Sequence, residues 1–300
     1  MDVDQPLPLL GGLSPARFMQ RHWQKKPLLV RQAVAGIKPL LSRAELFALA
    51  ADAAVESRLI GRGADGWQLK RGPLARRALP PLAQRDWTLL VQGADLHDER
   101  AHALLQQFRF VPDARLDDLM ISYASDGGGV GPHFDSYDVF LLQTHGRRRW
   151  RIGRQKNLSL VEGLPLKILA DFQPEQEHVL EPGDMLYLPP RWAHDGVAEG
   201  ECMTYSIGFR QPSTDEVVRE LLQRVADDAN DLVGDAAYRD RDQPATDQPG
   251  VLPPAMLEFA RSAIEKALND PRHLSLLLGE WLTEPKPSVW FDAGDAAGDA

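Results

Sequence analysis

The chain has 300 residues, of which 43% are hydrophobic and 26% are charged, ordinary values for a globular protein with a sizeable core. No apolar run approaches the roughly 18 residues that a membrane-spanning helix needs, and the N-terminus lacks the features of a signal peptide. The single cysteine, Cys202, excludes an internal disulfide and a cysteine-bound zinc or iron–sulfur site. These features predict a cytoplasmic protein. The formal net charge of −9 predicts a basic partner and no direct binding to nucleic acid.

The first part of the chain, residues 14–60, is predicted to be helical. Ser14-Pro15 and the pair Ser42 and Glu45 are typical of helix N-termini. From about residue 87 to 210, short apolar runs alternate with Gly and Pro, which predicts a β-sandwich or barrel. The predicted strands are 87–92, 119–123, 137–143, 147–152, 178–180, 185–188 and 202–209.

Residues 211–283 are predicted to be helical again, interrupted by an acidic loop over 227–250. Ser213 and Glu216 form a capping-box pattern. Two apolar stripes at helical spacing follow: Val217, Leu221 and Val225, then Leu257, Ile264 and Leu268. These stripes pack either on the chain's own β-domain or against a second copy. The Asp-, Ala- and Gly-rich tail, 284–300, is predicted to be disordered.

Two fragments carry candidate metal ligands, Gly131-Pro-His133-Phe-Asp135 and Pro189-Pro-Arg-Trp-Ala-His194. Along a strand, residues i and i+2 point to one face, so His133 and Asp135 are predicted to share one ion. His194 is predicted to join them from the end of a strand that begins after Glu181-Pro-Gly-Asp. Two imidazoles and one carboxylate leave three octahedral positions open, the arrangement of non-haem Fe(II) oxygenases. The alternative is three structural polar residues at a strand end.

Together with the neighbouring motifs, these fragments resemble the JmjC ribosomal oxygenases, most closely the bacterial ribosomal-protein arginine 3-hydroxylases. The likeness covers roughly residues 14–282. It runs through Arg21-His-Trp-Gln-Lys-Lys-Pro-Leu, Asp117-Asp-Leu-Met-Ile-Ser, Gly127-Gly-Gly-Val-Gly-Pro-His-Phe-Asp-Ser-Tyr-Asp-Val-Phe, Gly146-Arg-Arg-Arg-Trp-Arg-Ile-Gly, Glu181-Pro-Gly-Asp and Tyr205-Ser-Ile-Gly-Phe-Arg.

The resemblance implies a mainly β chain with flanking helices. Its core would be a double-stranded β-helix of the cupin/JmjC type, with a JmjC domain over residues 1–210. Residues 211–283 would form a helical dimerisation region, so the resemblance implies a homodimer. Bacterial members often continue into a winged-helix-like domain, for which these 300 residues leave no room.

The resemblance also implies an activity. Fe(II) would be the cofactor, with 2-oxoglutarate and O2 as co-substrates. The product would be a hydroxylated arginine side chain on a basic large-subunit ribosomal protein, the sixteenth in the bacterial numbering. Two alternatives stay open. One is histidine hydroxylation or demethylation of another basic protein, and the other is a non-catalytic β-helix module that holds its metal structurally.

The co-substrate needs a cation for its far carboxylate. Strand alternation places Arg148 on one face with Trp150 and Ile152, so Arg148 is predicted to be the buried cation. Its planar fork suits a carboxylate, and the resemblance places the 2-oxoglutarate arginine here too. Ser122 matches the family residue that assists this co-substrate. The alternative for Ser122 is a small core residue satisfied by backbone groups.

The predicted substrate pocket follows from the same alternation. Asp118 and Met120 share a face with Ser122, while Tyr137 shares a face with the metal ligands. A carboxylate, a thioether and an aromatic ring around one opening suit a guanidinium. The alternatives are a surface carboxylate for Asp118 and core packing for Met120 and Tyr137. Thr204 stands where the resemblance leads us to expect asparagine, which leaves that side of the pocket undetermined.

Overall fold

The chain's computed structural model divides into two compact units, and the chain passes from the first to the second between Gln211 and Pro212. The structure describes residues 2–64, 66–269 and 271–284. Apart from Glu284, the tail predicted for 284–300 therefore lies outside the described residues. None of the helices within these ranges is long and apolar enough to cross a membrane.

One antiparallel sheet holds every named strand of the described residues. The strands are β1 Leu28–Val30, β2 Ser57–Gly63, β3 Gly66–Arg71, β4 Trp87–Val91, β5 Leu116–Ala124, β6 Val139–Gly153, β7 Gln176–Leu180, β8 Met185–Leu188 and β9 Ala193–Phe209. Their order is β1-β8-β6-β9-β5-β4-β2-β3, and β7 pairs with β6. The long strands β6 and β9 therefore lie next to each other at the centre of the sheet.

Three α-helices of the first unit and four of the second lie within the described residues. They are α1 Pro15–Arg21, α2 Arg43–Ala51, α3 Glu99–Leu105, α4 Thr214–Asp227, α5 Ala229–Val233, α6 Pro254–Leu268 and α7 Pro271–Thr283. The predicted caps are present. Ser14 Oγ accepts a hydrogen bond from Arg17 N, and both bonds of the capping box form at Ser42 and again at Ser213.

The prediction of a wholly helical segment over residues 14–60 was wrong. β1 pairs with β8, and β2 begins the hairpin β2–β3, so the strands start well before residue 87. β1 is too short to show a period, and the hairpin carries exposed polar residues such as Arg62 and Lys70. Their solvent exposure leaves no clear apolar alternation for a sequence pattern to detect.

β6 corrects a second prediction, since the strands expected at 137–143 and 147–152 are two halves of one strand that starts at Val139. Gly146 joins the halves with φ of +60°, and a Cβ there would lie 2.0 Å from Glu201 O. The register with β9 shifts on both sides of His145. Glycine therefore marks a bend in a continuous strand rather than a loop.

The two faces of the sheet bury different side chains. One face packs against α1, α2 and α3 in what we call the aromatic core, which includes Phe18, Trp23, Phe47, Trp87, Tyr123, Phe140, Tyr187 and Phe209. The other buries a smaller aliphatic cluster with Trp150, namely Val139, Leu141, Ile152, Leu180, Leu186 and Leu188. Alternation along β6 sends Phe140 to the first face and Leu141 to the second, and the second face carries the site described below.

The second unit has a small core of its own. Val225 of α4, Ala267 of α6 and Leu277 of α7 are buried together, with Leu221 and Leu268 packed against them. Part of each predicted stripe therefore packs within its own unit, a third possibility beside the two predicted. The predicted acidic loop also contains the short helix α5.

Candidate metal centre and cavity

The backbone brings the three predicted metal ligands together through one isolated bridge. His133 N donates to His194 O at 2.9 Å, and His194 N donates to His133 O at 2.8 Å. One ligand atom from each of His133, Asp135 and His194 lies within 4.8 Å of the other two. His194 Nε2 is 3.6 Å from Asp135 Oδ2, and the imidazole centroids are 4.2 Å apart.

The local structure around these ligands differs from the prediction. His133 forms only the isolated bridge, and Asp135 lies in a bend-rich loop rather than on a strand. His194 is the second residue of β9 rather than the last of β8, because Pro189 and Pro190 end β8 and the chain reverses before Ala193. The three ligands still converge, because the bridge replaces the expected ladder.

Both imidazoles are oriented by a carbonyl two residues earlier. His133 Nδ1 is 2.8 Å from Gly131 O, and His194 Nδ1 is 2.9 Å from Trp192 O. A proton on each Nδ1 donates to these carbonyls, which leaves each Nε2 lone pair for a metal. Burial and the neighbouring His133 lower the pKa of His194 to about 4, so this imidazole is neutral near pH 7. The donor set therefore fits a divalent cation.

Close packing explains the glycines that precede His133. A Cβ on Gly129 would lie 2.6 Å from Gly196 O on β9. Gly131 has φ of +78°, and a Cβ there would lie 2.5 Å from Ile168 Cδ1. Only glycine lets this segment pass so close to β9 and to the chain around Ile168.

One cavity of about 250 Å³ contains the whole candidate site. All eight predicted site residues line it, namely Asp118, Met120, Ser122, His133, Asp135, Tyr137, Arg148 and His194. Thr204 is not among the lining residues. It is fully buried and its hydroxyl donates to Gln143 Oε1 at 2.8 Å, whereas Ser206 on the same strand does reach the cavity.

Arg148 is the buried cation of this cavity, with 5% of its surface exposed. Nη1 donates to Ser122 Oγ at 3.1 Å, and the guanidinium lies 5.7 Å from the Trp150 ring centroid. Its Nε and Nη2 atoms are buried and have no hydrogen-bond partner among the described residues. Burying a donor without a hydrogen-bond partner costs free energy, so the planar Arg148 guanidinium suits an incoming carboxylate.

The arginines beside Arg148 behave differently. Arg147 pairs with Glu199, Arg149 with Glu177 and Glu199, and Arg151 with Asp195. Their side chains are between 42% and 55% exposed. The predicted alternation thus agrees with the observed burial.

Ser122 makes two hydrogen bonds. Its hydroxyl donates to Thr204 O at 3.1 Å and accepts from Arg148. It is therefore satisfied in part by backbone, as the alternative reading expected, and it also orients the cation. Ser122 thus holds one Arg148 donor, while two others of this cavity-lining side chain have no partner among the described residues.

The predicted substrate side of the cavity is acidic. Asp118 is buried rather than superficial, and its Oδ2 accepts a hydrogen bond from Gly93 N at 2.8 Å. Tyr137 is 40% exposed. Partial burial and the charges of Asp135, Asp118 and Asp117 raise the pKa of the Tyr137 hydroxyl. An aromatic ring among carboxylates suits a cationic side chain.

Comparisons with known proteins agree with this geometry. The JmjC domain family matches residues 103–217. The chain is 37% identical over 273 residues to the Escherichia coli "Ribosomal protein uL16 3-hydroxylase", covering 90% of this chain and 71% of that protein. This chain belongs to the JmjC-domain ribosomal oxygenase family. The match confirms the predicted JmjC/cupin fold of the β-region.

Solved structures support the same assignment. The X-ray structure of E. coli ycfD superposes with a TM-score of 0.79 at 35% identity, covering 92% of this chain and 73% of that one. A second E. coli YcfD structure, described as a ribosomal oxygenase in complex with cobalt and 2-oxoglutarate, gives a TM-score of 0.74 at 36% identity. It covers 90% of this chain and 71% of that one.

Sequence reasoning missed several residues of the cavity wall. Arg58 of β2 lines it and donates to Gln92 Oε1 at 2.5 Å, and Lys167 also borders the cavity. Arg58 was missed because β2 itself was not predicted. Gln92 stands at the predicted end of a strand, but nothing in its sequence context assigns it to a site.

Proposed function

We propose that this chain is an Fe(II)- and 2-oxoglutarate-dependent oxygenase that hydroxylates an arginine side chain of ribosomal protein uL16, the substrate in the E. coli relative's name. One observation carries the proposal. A metal-binding triad and a buried arginine with two unpartnered donors, among the described residues, line the same cavity. A module that held a metal only structurally would have no use for those donors.

His133, Asp135 and His194 would hold the Fe(II). When bound, the iron supplies the redox chemistry that couples O2 and 2-oxoglutarate to succinate, CO2 and a hydroxylated carbon. The protein supplies orientation: the carbonyls of Gly131 and Trp192 fix both imidazoles, and the neutral state of His194 leaves its Nε2 available. A solved relative carries cobalt and 2-oxoglutarate together, which supports the pairing of metal and co-substrate.

Arg148 would bind the far carboxylate of 2-oxoglutarate through the donors that lack a partner in the described chain. Ser122 holds Nη1 and so orients the guanidinium plane. The Trp150 ring lies beside both Arg148 and His194, where it would help to keep water from the bound co-substrate. A dry site strengthens the charge-assisted bonds that bind the co-substrate.

Asp118, Met120 and Tyr137 would receive the target side chain. The carboxylate favours a guanidinium over a neutral imidazole, which is why arginine hydroxylation ranks above histidine hydroxylation. The net charge of −9 attracts a basic protein and repels RNA. We therefore place the reaction in the cytoplasm on the free or newly made ribosomal protein, with no direct contact to nucleic acid.

The second unit would form a homodimer interface. Several large apolar side chains of α4, α6 and α7 are at least half exposed, namely Val218, Leu222, Leu257, Ile264 and Leu276. Exposed apolar residues in such numbers mark interaction surfaces. Light scattering at micromolar concentration should give twice the monomer mass, and the monomer mass would reject the dimer.

The test of function is mass spectrometry of purified uL16 after incubation with the enzyme, Fe(II) and 2-oxoglutarate. Fragment spectra should place one added oxygen atom on an arginine, with succinate formed alongside. Oxygen on a histidine, or loss of a methyl group from a methylated substrate, would favour the alternative oxygenase reactions. No modification and no succinate with any basic protein would leave the non-catalytic module.

A further inference from the structure

At the substrate end of the cavity, the buried carboxylates of Asp95 and Asp118 each accept a hydrogen bond from a backbone amide near the other residue. Asp95 lies in a single 3-10 turn, Ala94–Leu96, that follows β4, while Asp118 lies in β5. Asp95 Oδ1 accepts from Leu119 N at 2.8 Å, and Asp118 Oδ2 accepts from Gly93 N at 2.8 Å. Only 7% of Asp95 and 5% of Asp118 is exposed. Asp118 borders the cavity, whereas Asp95 is not among its lining residues.

The ladder between β5 and β9 is interrupted beside Asp118. β5 pairs with β9 at Leu116 and again from Leu119, and the register shifts between these two residues. Asp117 and Asp118 therefore lie on a stretch of β5 that β9 does not hold in regular register. At the end of that stretch, the Asp95 carboxylate binds the Leu119 amide and ties the strand to the turn. The turn binds back to Asp118 through Gly93.

An uncharged acceptor could bind the Leu119 amide without placing a second carboxylate beside Asp118. Burial and the nearby charge of Asp118 raise the pKa of Asp95 to about 6, partly offset by its bond from Leu119 and by the charge of His102. Ionised near neutral pH, Asp95 thus destabilises the fold relative to an uncharged acceptor of the same shape. Because the charge of Asp95 does not stabilise the fold, its role lies in what it holds in place beside Asp118, the backbone at Leu119.

We infer that Asp95 is a positioning residue, which fixes the backbone at Leu119 and thereby directs the Asp118 carboxylate at the substrate guanidinium. The inference rests on the proposed function, because it assigns Asp118 the target cation. Asp95 acts only through Asp118. Its loss should therefore weaken peptide binding and leave the metal centre and the Arg148 site unaffected.

The experiment compares Asp95→Ala with wild type, using an arginine peptide from uL16 as the probe. Loss of a hydrogen bond that orients a charged group should raise KM for the peptide by about tenfold. The kcat and the 2-oxoglutarate consumption without peptide should stay within about twofold, since neither depends on a group lost in this variant. Asp95→Asn, which keeps the acceptor at Oδ1, should restore KM to near wild type.

Asp98 offers a matched control three residues along the chain. It caps α3 by accepting from Arg100 N and Ala101 N and does not line the cavity. Asp98→Ala should lower stability like any lost cap and leave KM unchanged. In an Asp118→Asn background, Asp95→Ala should add little to KM, because the group that it orients has lost its charge. Additive effects would show that Asp95 acts independently of Asp118.

An unchanged peptide KM in Asp95→Ala would overturn the inference while leaving the function intact if wild type still hydroxylates the peptide. No hydroxylation by wild type would instead reject the proposed function, and the dissociation constant of a fluorescent peptide then tests Asp95 alone. If Asp95→Ala does not fold, Asp95→Glu replaces it, because the added methylene displaces the acceptor. Its crystal structure should show the Asp118 carboxylate away from Gly93 N, and an unmoved carboxylate would contradict the inference.

Discussion

The two faces of the central sheet bury polar groups in different ways. In the aromatic core, Asp138 is fully buried, yet Tyr187 donates to it at 2.5 Å and Gln24 at 3.1 Å. The Tyr205 hydroxyl in the same core accepts from Leu40 N at 2.8 Å. On the cavity face, two donors of the buried Arg148 have no partner in the described chain. Asp138 and Tyr205 are therefore satisfied within the fold, whereas the two Arg148 donors on the cavity face remain available to a ligand.

The largest expected effect separates activity from stability across these two faces. His133→Ala, Asp135→Ala and His194→Ala should each reduce succinate formation to background, because three ligands are needed to hold the iron. The free energies of unfolding of the first two variants should change by at most about 1 kcal/mol, as His133 and Asp135 are only partly buried. Phe18→Ala in the aromatic core should instead cost about 3–5 kcal/mol of stability. Chemical denaturation measures the free energy of unfolding, and a succinate assay measures activity. Turnover by Asp135→Ala would contradict the assignment of the metal ligands.

The second prediction compares arginines within one strand. Arg148→Ala should raise KM for 2-oxoglutarate by roughly 10- to 100-fold, since a lost charge-assisted bond costs about 1.5–3 kcal/mol. Arg147→Ala, the matched control, loses only an exposed pair with Glu199 and should leave that KM unchanged. Titrations of 2-oxoglutarate for the two variants provide the measurement. Equal effects would mean that the co-substrate does not bind on the inward face.

The third prediction separates the two ends of the cavity. Asp118→Asn should weaken hydroxylation of an arginine peptide by about tenfold, because it removes the counter-charge of the guanidinium. Consumption of 2-oxoglutarate without peptide should hardly change, since in our proposal Arg148 and the metal bind that molecule. A parallel loss of both activities would show that Asp118 supports the fold of the whole cavity rather than the substrate.

The smallest expected effect is on how the free energy of unfolding depends on pH. The pKa of Asp95 in the folded protein, about 6, lies above its ordinary 3.8, so the folded state holds that proton more tightly than the unfolded chain does. The free energy of unfolding should therefore fall as pH rises from about 4 to about 6, with the full loss above that range. Asp95→Asn should be more stable than wild type by about 1–3 kcal/mol at pH 7 and nearly equal at pH 4. Denaturation at both pH values tests this, and equal stability at pH 7 would contradict it.

Features with local signals could be predicted from the sequence. Ser14 and Ser42 mark helix starts through short-range hydrogen bonds, and alternation around Trp150 identified Arg148 as the inward arginine. Motif context also grouped the three metal ligands. The helix starts, the inward arginine and each ligand fragment are marked within a few residues, so a sequence pattern carries them directly.

Features that depend on distant contacts could not be predicted. The hairpin β2–β3 has no apolar alternation, so β2 was not predicted, and neither was the position of its Arg58 at the cavity wall. His133 was expected on a strand, but a single bridge to His194 positions it instead. Asp95 gives no local sign of its role, because its partner Leu119 lies on another element.

One measurement tests the account most directly: uL16 hydroxylation by wild type and by Arg148→Ala at matched, subsaturating 2-oxoglutarate, with the modified residue located by tandem mass spectrometry. Wild type should add one oxygen to a single arginine. With Arg148→Ala the yield should be low and should recover when 2-oxoglutarate is raised. Undiminished hydroxylation by Arg148→Ala, or oxygen on a residue other than arginine, would contradict it.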